Sequence, residues 1–266
     1  AYARHPLDGP LVTQVVRPVF RAAYGLALAE PLAGEFGCSG RFATRCLEEP
    51  AWESDELRLA IDLWISGMAA GAPWRVAEAS LGPRRLTARA RPGVAELVPQ
   101  VLEALFTCLR LHEETWTLGA PAARLARAAP PAPAPDTDPG PAVDVAGFAT
   151  LFRDGLAALV EMLERVLRPA TLEALRSAAA APAREVGDEA WAATLFDLAV
   201  AHRQAVISRD HLVRAAVPLY LGRAASFAAE AAPLAPPAAE ERLETLCRTF
   251  ERSRGDLVSL WTAPAR

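Results

Sequence analysis

The sequence predicts a mainly α-helical protein, and three observations support this fold class. Apolar residues recur three and four positions apart through most of the chain, as they do on the buried side of a helix. The second half consists of such segments separated by proline-rich turns. Only residues 74–80 alternate weakly in the manner of a strand. We therefore expect a mixed N-terminal part with too few strands for a complete sheet, followed by a helical bundle.

Composition excludes several classes of protein. The chain has 266 residues, of which 52% are hydrophobic, so it can bury a sizeable core. Its net charge of -4 argues against nucleic acid as the main partner, because phosphate binding needs a basic face. No run approaches the about 18 apolar residues of a membrane span. The start of the chain does not have the charged-then-apolar plan of a signal peptide. These features predict a cytoplasmic protein that contacts no membrane.

The four cysteines form no Cys-x-x-Cys pair and have no accompanying cluster of histidines. They are Cys38, Cys46, Cys108 and Cys247. A zinc site is not expected, and a disulfide framework is not indicated for a chain of this size. The sequence predicts buried free thiols.

In the first half, helices are predicted over residues 10–29, 40–48, 55–70 and 94–114. Pro18 predicts a kink or a late start in the first of these helices. Ser39 and Ser54 are expected to cap the second and the third.

The second half follows residues 119–143, where repeated Pro-Ala and Pro-Gly sequences predict an extended connector. Residues 1–118 and 144–266 are accordingly predicted as separate domains. Helices are expected from Asp144 to Leu167, from Asp188 to Val206, from Arg209 to Ala231 and from Glu240 to Leu260. Asp188 can cap the second of these helices. Trp191, Trp261 and Phe227 are expected in the bundle core.

Three segments allow a functional and a structural interpretation. The loop Pro31–Gly37 contains two glycines, which let a backbone approach a ligand, and Glu35, which can accept hydrogen bonds from hydroxyls. A plain turn between helices accounts for the same residues. Asp62 lies in the apolar stretch 59–65, where an unpaired carboxylate is costly, so it needs a polar partner in the core or a cavity. The basic residues Arg84, Arg85, Arg89 and Arg91 suit a phosphate-bearing ligand or a solvated surface.

The order of several short motifs resembles glucosylglycerate and mannosylglycerate synthases and their glucosyl-3-phosphoglycerate relatives. The motifs are residues 2–9, 30–36, 60–64, 81–84, 191–197, 209–212 and 218–227. The resemblance implies the acceptor-binding half of a GT-A-type α/β glycosyltransferase, followed by a helical C-terminal domain. Such enzymes transfer a hexose from a nucleotide-diphosphate sugar to a small hydroxy acid such as glycerate, usually with a divalent metal and with retention at the anomeric carbon.

The resemblance also implies roles for matching residues. Arg4 falls in the segment near the acceptor carboxylate, and Gly34 and Glu35 fall in the loop near the donor sugar. Asp62 falls on the acidic residue that contacts the reacting sugar. A carboxylate there would stabilise an oxocarbenium-like transition state. Arg84 is the residue that would bind the diphosphate.

The chain departs from the family pattern in two places. The nucleotide pocket and its Asp-x-Asp metal motif would lie before residue 1, so the sequence is expected to be a fragment or a degenerate member. Leu86 stands where the family places a metal-binding His after its Leu-Gly-x-Lys segment. Mg²⁺ or Mn²⁺ is thus expected for the family, but Leu86 offers no ligand atom at the position of that His. No metal-ligating residue is predicted, and Arg84 with Arg85 would neutralise the diphosphate instead.

An alternative of another class stays open, a noncatalytic helical module for oligomerisation or scaffolding. Either way a homo-oligomer is expected. The stripe of apolar residues on helix 209–231 predicts Tyr220 and Phe227 at or near the interface between subunits.

Overall fold

The computed structural model describes residues 10–32, 34–53, 60–71, 74–81, 93–119, 124–127, 143–180 and 185–264. These residues are mainly helical, which confirms the predicted fold class at that level. In the first half the regular elements are α1 (Arg17–Tyr24), α2 (Gly40–Leu47), α3 (Ile61–Ala70), β1 (Arg75–Glu78), α4 (Val94–Leu111) and α5 (Glu113–Thr117). In the second half they are β2 (Arg124–Arg127), α6 (Val145–Ala158), α7 (Val160–Val166), α8 (Pro169–Ala180), α9 (Asp188–Gln204), α10 (Arg209–Ala231), α11 (Pro236–Arg252) and α12 (Arg254–Thr262).

A π-helical turn, Val12–Val16, leads directly into α1 and takes the place of the predicted kink. Pro18 has no N–H, so it cannot donate to the carbonyl of Gln14 four residues earlier, as a regular helix requires. That carbonyl instead accepts a hydrogen bond of 2.7 Å from the Trp191 indole Nε1. The backbone carbonyl that Pro18 leaves without its usual helix partner therefore links this turn to α9 by a hydrogen bond.

Strand β1 pairs in parallel with β2, with Arg75 opposite Arg124 and Glu78 opposite Arg127. Among the described residues this two-stranded sheet is all that corresponds to the α/β character implied by the resemblance. Strand β2 lies inside segment 119–143, so residues 124–127 are paired rather than part of a featureless connector.

The apolar core does not divide at residues 119–143. Leu105 of α4 and Leu219 of α10 are fully buried members of one continuous cluster that also contains Trp191 and Trp261. Helix α10 packs against α4 and α6, and α1 packs against α11. The predicted domains 1–118 and 144–266 thus share a core in the described part of the chain.

The expectation that Tyr220 and Phe227 lie at a subunit interface is wrong. Both side chains are buried within the chain itself, at 3% and 1% exposure. Helix α10 runs through the middle of the bundle and is covered on most sides, so its apolar residues contact neighbouring helices of the same chain.

Of the predicted helix N-caps, one is observed, one is not, and one lies outside the described residues. Ser39 caps α2 as predicted, since its Oγ accepts a hydrogen bond of 3.3 Å from the Phe42 N–H. Residues 54–59, with the predicted cap Ser54, lie outside the described part of the chain. The prediction for Asp188 is wrong: Gly187 occupies the N-cap, and the Asp188 carboxylate makes no capping bond.

The Asp188 carboxylate instead binds a fully buried arginine. The Arg223 guanidinium Nη2 lies 2.8 Å from Asp188 Oδ1, and its Nε donates to Gln14 Oε1 at 2.8 Å. Its Nη1 donates to the carbonyl of Val186 at 2.7 Å. Arg242 donates to both Asp188 oxygens, at 2.7 and 2.8 Å. This network joins α9, α10, α11 and the π-helical turn, and the Arg223 guanidinium within it is fully buried.

A second buried polar contact fixes the inner side of α3. The Tyr24 hydroxyl lies 3.0 Å from His112 Nδ1 and donates to the carbonyl of Cys108 at 3.3 Å. The His112 ring stacks on Trp64 of α3, with centroids 6.1 Å apart, and a side chain at Gly67 would overlap it. Since these contacts hold α3 from within, they set which of its residues face outward.

Burial of His112 makes stability depend on pH. It lowers the pKa of His112 from its usual 6.5 to about 4. Between these values the unfolded chain takes up the proton and the folded protein does not, so stability falls as the pH falls through this window. The difference between the pKa values corresponds to about 3 kcal/mol.

We expect this loss in urea unfolding at a series of pH values from 7 to 4. In the variant His112→Asn the unfolding free energy should fall much less between pH 7 and pH 4, because the variant has no imidazole to protonate at this position. His211→Asn, at an exposed position of α10, is the matched control and should keep the wild-type pH profile. An identical profile for His112→Asn and the wild type would contradict this interpretation.

Candidate functional site

A loop between α1 and α2 carries the first predicted site residues. Gly34 has a φ of +77°, a left-handed conformation that favours glycine. The loop is fixed to α3 because Ser66 Oγ donates a hydrogen bond of 2.9 Å to the carbonyl of Pro31. The glycine is thus required by the backbone conformation, while its position is set by the helix beside it.

Asp62, in the first turn of α3, lies against this loop. A Cβ atom built on Gly34 would stand 3.9 Å from Asp62 Oδ2, which is ordinary van der Waals contact. Burial and, to a smaller extent, the charge of Glu35 raise the pKa of the Asp62 carboxyl. Gly34, Glu35 and Asp62, predicted from separate motifs, therefore lie together at one place on the surface.

The outward face of α3 leads from Asp62 into a cleft of about 490 Å³. Ile65, Ser66 and Ala69 line the cleft and follow Asp62 on the same face, at steps of three, four and seven residues. Asp62 itself does not line the cavity but stands one turn before it on that face. The opposite walls are the loop with Glu35 and the strand β1.

Glu30, Glu78 and Trp74 line the cleft and were not predicted as site residues. Glu30 is buried at 7% exposure, and Glu78 Oε1 accepts a hydrogen bond of 3.0 Å from the Ala29 N–H. The Trp74 ring meets Phe42 edge to face, with centroids 5.2 Å apart. The alternation of β1 puts Trp74, Val76 and Glu78 on one side of the strand, and this was the only sequence signal that placed them together.

Trp74 lines the cleft together with two other aromatic residues, Phe36 and Phe42. The Arg41 guanidinium lies 5.6 Å from the centre of the Trp74 ring, and Arg41 does not itself line the cavity. The Trp74 indole Nε1 is buried and has no hydrogen-bond partner within the described part of the chain. A buried indole N–H usually has a partner, so this unpaired donor is an exception.

The cysteines follow the prediction only in part. All four are free, and Cys46, Cys108 and Cys247 are buried as expected. Cys38 is exposed and lines the cleft beside Glu35, because it lies in the loop before the Ser39 cap rather than on a packed helix face.

The remaining predicted site residues, Arg4 and Arg84, lie outside the described residues, as does Leu86. Their roles stay predictions. Within the described ranges no group of three His, Cys, Asp or Glu side chains is arranged to hold a metal ion. The residues seen here therefore do not provide a fit for Mg²⁺ or Mn²⁺, and no chemical step below depends on one.

Comparison of the chain with family models, with curated proteins and with solved structures finds no match. Among the helices that the structure describes, none has the length and the apolar character needed to cross a membrane.

Proposed function

We propose that the protein takes part in the transfer of a hexose from a nucleotide-diphosphate sugar to an acceptor hydroxyl. The resemblance implies a small hydroxy acid such as glycerate as the acceptor. The observation that carries the proposal is the position of Asp62, a partly desolvated carboxylate beside the left-handed Gly34 and the open cleft.

The chemistry of such a transfer suits this arrangement. The bond between the anomeric carbon and the diphosphate oxygen breaks, and the nucleoside diphosphate leaves with the electron pair. The acceptor oxygen forms the new bond to the anomeric carbon, and its proton passes to the departing diphosphate. Positive charge develops on the sugar ring in between, and a fixed carboxylate stabilises that charge more strongly where water is scarce.

Each of the three neighbouring residues has a proposed task. Asp62 stabilises the positive charge on the reacting sugar. Gly34 lets the loop backbone come close to the sugar, since a side chain there would be strained at its φ of +77°. Glu35 accepts hydrogen bonds from sugar hydroxyls. Arg84 remains the candidate for the diphosphate.

The test is an assay of the protein expressed from its complete gene. UDP-glucose or GDP-mannose is incubated with glycerate and, separately, with methyl α-glucoside, and nucleoside diphosphate and glycoside are quantified by mass spectrometry. We expect the two products in equal amounts with at least one donor. Donors that stay intact in every combination would contradict the proposal and favour the noncatalytic helical module.

A further inference from the structure

We propose that the cleft beside Asp62 holds the acceptor, and that this acceptor is a neutral polyhydroxylated molecule such as a sugar or a polyol. This inference rests on the proposed hexosyl transfer. It departs from the anionic hydroxy acid that the resemblance implies, and it is carried by the charge, the aromatic wall and the size of the cavity.

The charge of the cleft opposes a carboxylate ligand. Glu30, Glu35 and Glu78 line it, and Asp62 stands next to it. Arg75 also lines the cleft and Arg41 lies over the Trp74 ring, so the four carboxylates outnumber these two cations. Like charges in a partly desolvated site repel strongly, whereas hydroxyl groups donate hydrogen bonds to carboxylate oxygens without such repulsion.

The walls suit the two sides of a sugar ring. Leu28, Ile65 and Val76 offer apolar contact, and Trp74 adds an aromatic surface. The unpartnered Trp74 Nε1 can donate to a hydroxyl oxygen. Ser66 Oγ, which gives its own hydrogen to Pro31, keeps lone pairs that can accept one from a hydroxyl.

The size of the cleft also favours a ligand larger than a three-carbon acid. Its volume of about 490 Å³ lies within the about 300–1,000 Å³ typical of cavities that bury drug-sized ligands. A three-carbon acid would leave much of the apolar wall and the Trp74 ring without contact. A hexose or a glycoside would reach both from the position beside Asp62.

A binding experiment tests the inference apart from turnover. Saturation-transfer NMR is recorded with methyl α-glucoside and, separately, with glycerate. We expect saturation of the glucoside ring protons, its loss in Trp74→Ala, and its retention in Trp52→Ala, a tryptophan that does not line the cleft. A glycerate signal without a glucoside signal, or a glucoside signal that persists in Trp74→Ala, would overturn the proposal.

Acceptor kinetics with the active donor provide the second readout. Neutral acceptors should give a higher kcat/KM than glycerate. Trp74→Ala should raise the KM of the neutral acceptor about tenfold, the size of one lost aromatic contact, while the KM of the donor changes little.

Glu78→Gln keeps an oxygen for the Ala29 N–H and should shift the acceptor preference toward glycerate. Preference for glycerate in the wild type would overturn this inference alone, whereas donors that stay intact would overturn the transfer itself.

Discussion

Replacing Asp62 by Asn is expected to lower kcat about 10²- to 10³-fold, the usual cost of removing one group that stabilises transition-state charge. The amide keeps the size and the hydrogen-bonding atoms of the side chain but not its charge, so the KM values for donor and acceptor should change little. Steady-state kinetics of the complete gene product measure both parameters.

The matched control is Asp256→Asn. Asp256, like Asp62, is an acidic residue in the first turn of a helix, but it is exposed on α12. We expect wild-type kinetics for this variant. Equal activities of Asp62→Asn and Asp256→Asn would show that the Asp62 carboxylate does not act on the reacting sugar.

Replacing Asp188 by Ala is expected to lower the free energy of unfolding by about 3–5 kcal/mol. Asp188 Oδ1 lies 2.8 Å from the guanidinium of Arg223, which is fully buried. Burial lowers the pKa of Arg223, and the charge of Asp188 opposes that effect. Without that carboxylate, the cation stays buried beside Gln14 and the Val186 carbonyl and loses its nearest counter-charge.

Urea unfolding measures this loss, with Asp210→Ala as the control. Asp210 also lies in the first turn of its helix and pairs with an arginine, Arg214, but both side chains are more than 60% exposed. Exposed ion pairs contribute little, so the control should unfold at the wild-type midpoint. An unfolding midpoint of Asp188→Ala equal to that of the control would contradict the structural role of the network.

The helices could be predicted from the sequence because their signals are local. Apolar spacing located most of them, and the Ser39 cap fixed the start of α2. The proximity of Asp62 to the loop was expected from the resemblance alone, since a carboxylate in an apolar stretch needs a polar partner or a cavity but its sequence does not say which.

Other features depended on contacts between distant segments. The pairing of β1 with β2 brings residues 75–78 to a strand within the proline-rich segment, and that pairing positions Trp74 and Glu78. Tyr220 and Phe227 were misplaced because apolar spacing on a helix does not distinguish a subunit interface from the centre of a bundle. Asp188 occupies a helix start, where a cap is the local expectation, but two distant arginines bind it instead.

The most direct test of the central claim is a crystal structure of the complete gene product with an intact nucleotide-diphosphate hexose. The proposal predicts the hexose beside Gly34 and Glu35, with its anomeric carbon about 3–4 Å from an Asp62 carboxylate oxygen, the separation typical of groups that act on a reacting atom. A hexose bound elsewhere, with no part of it beside Asp62, would contradict it.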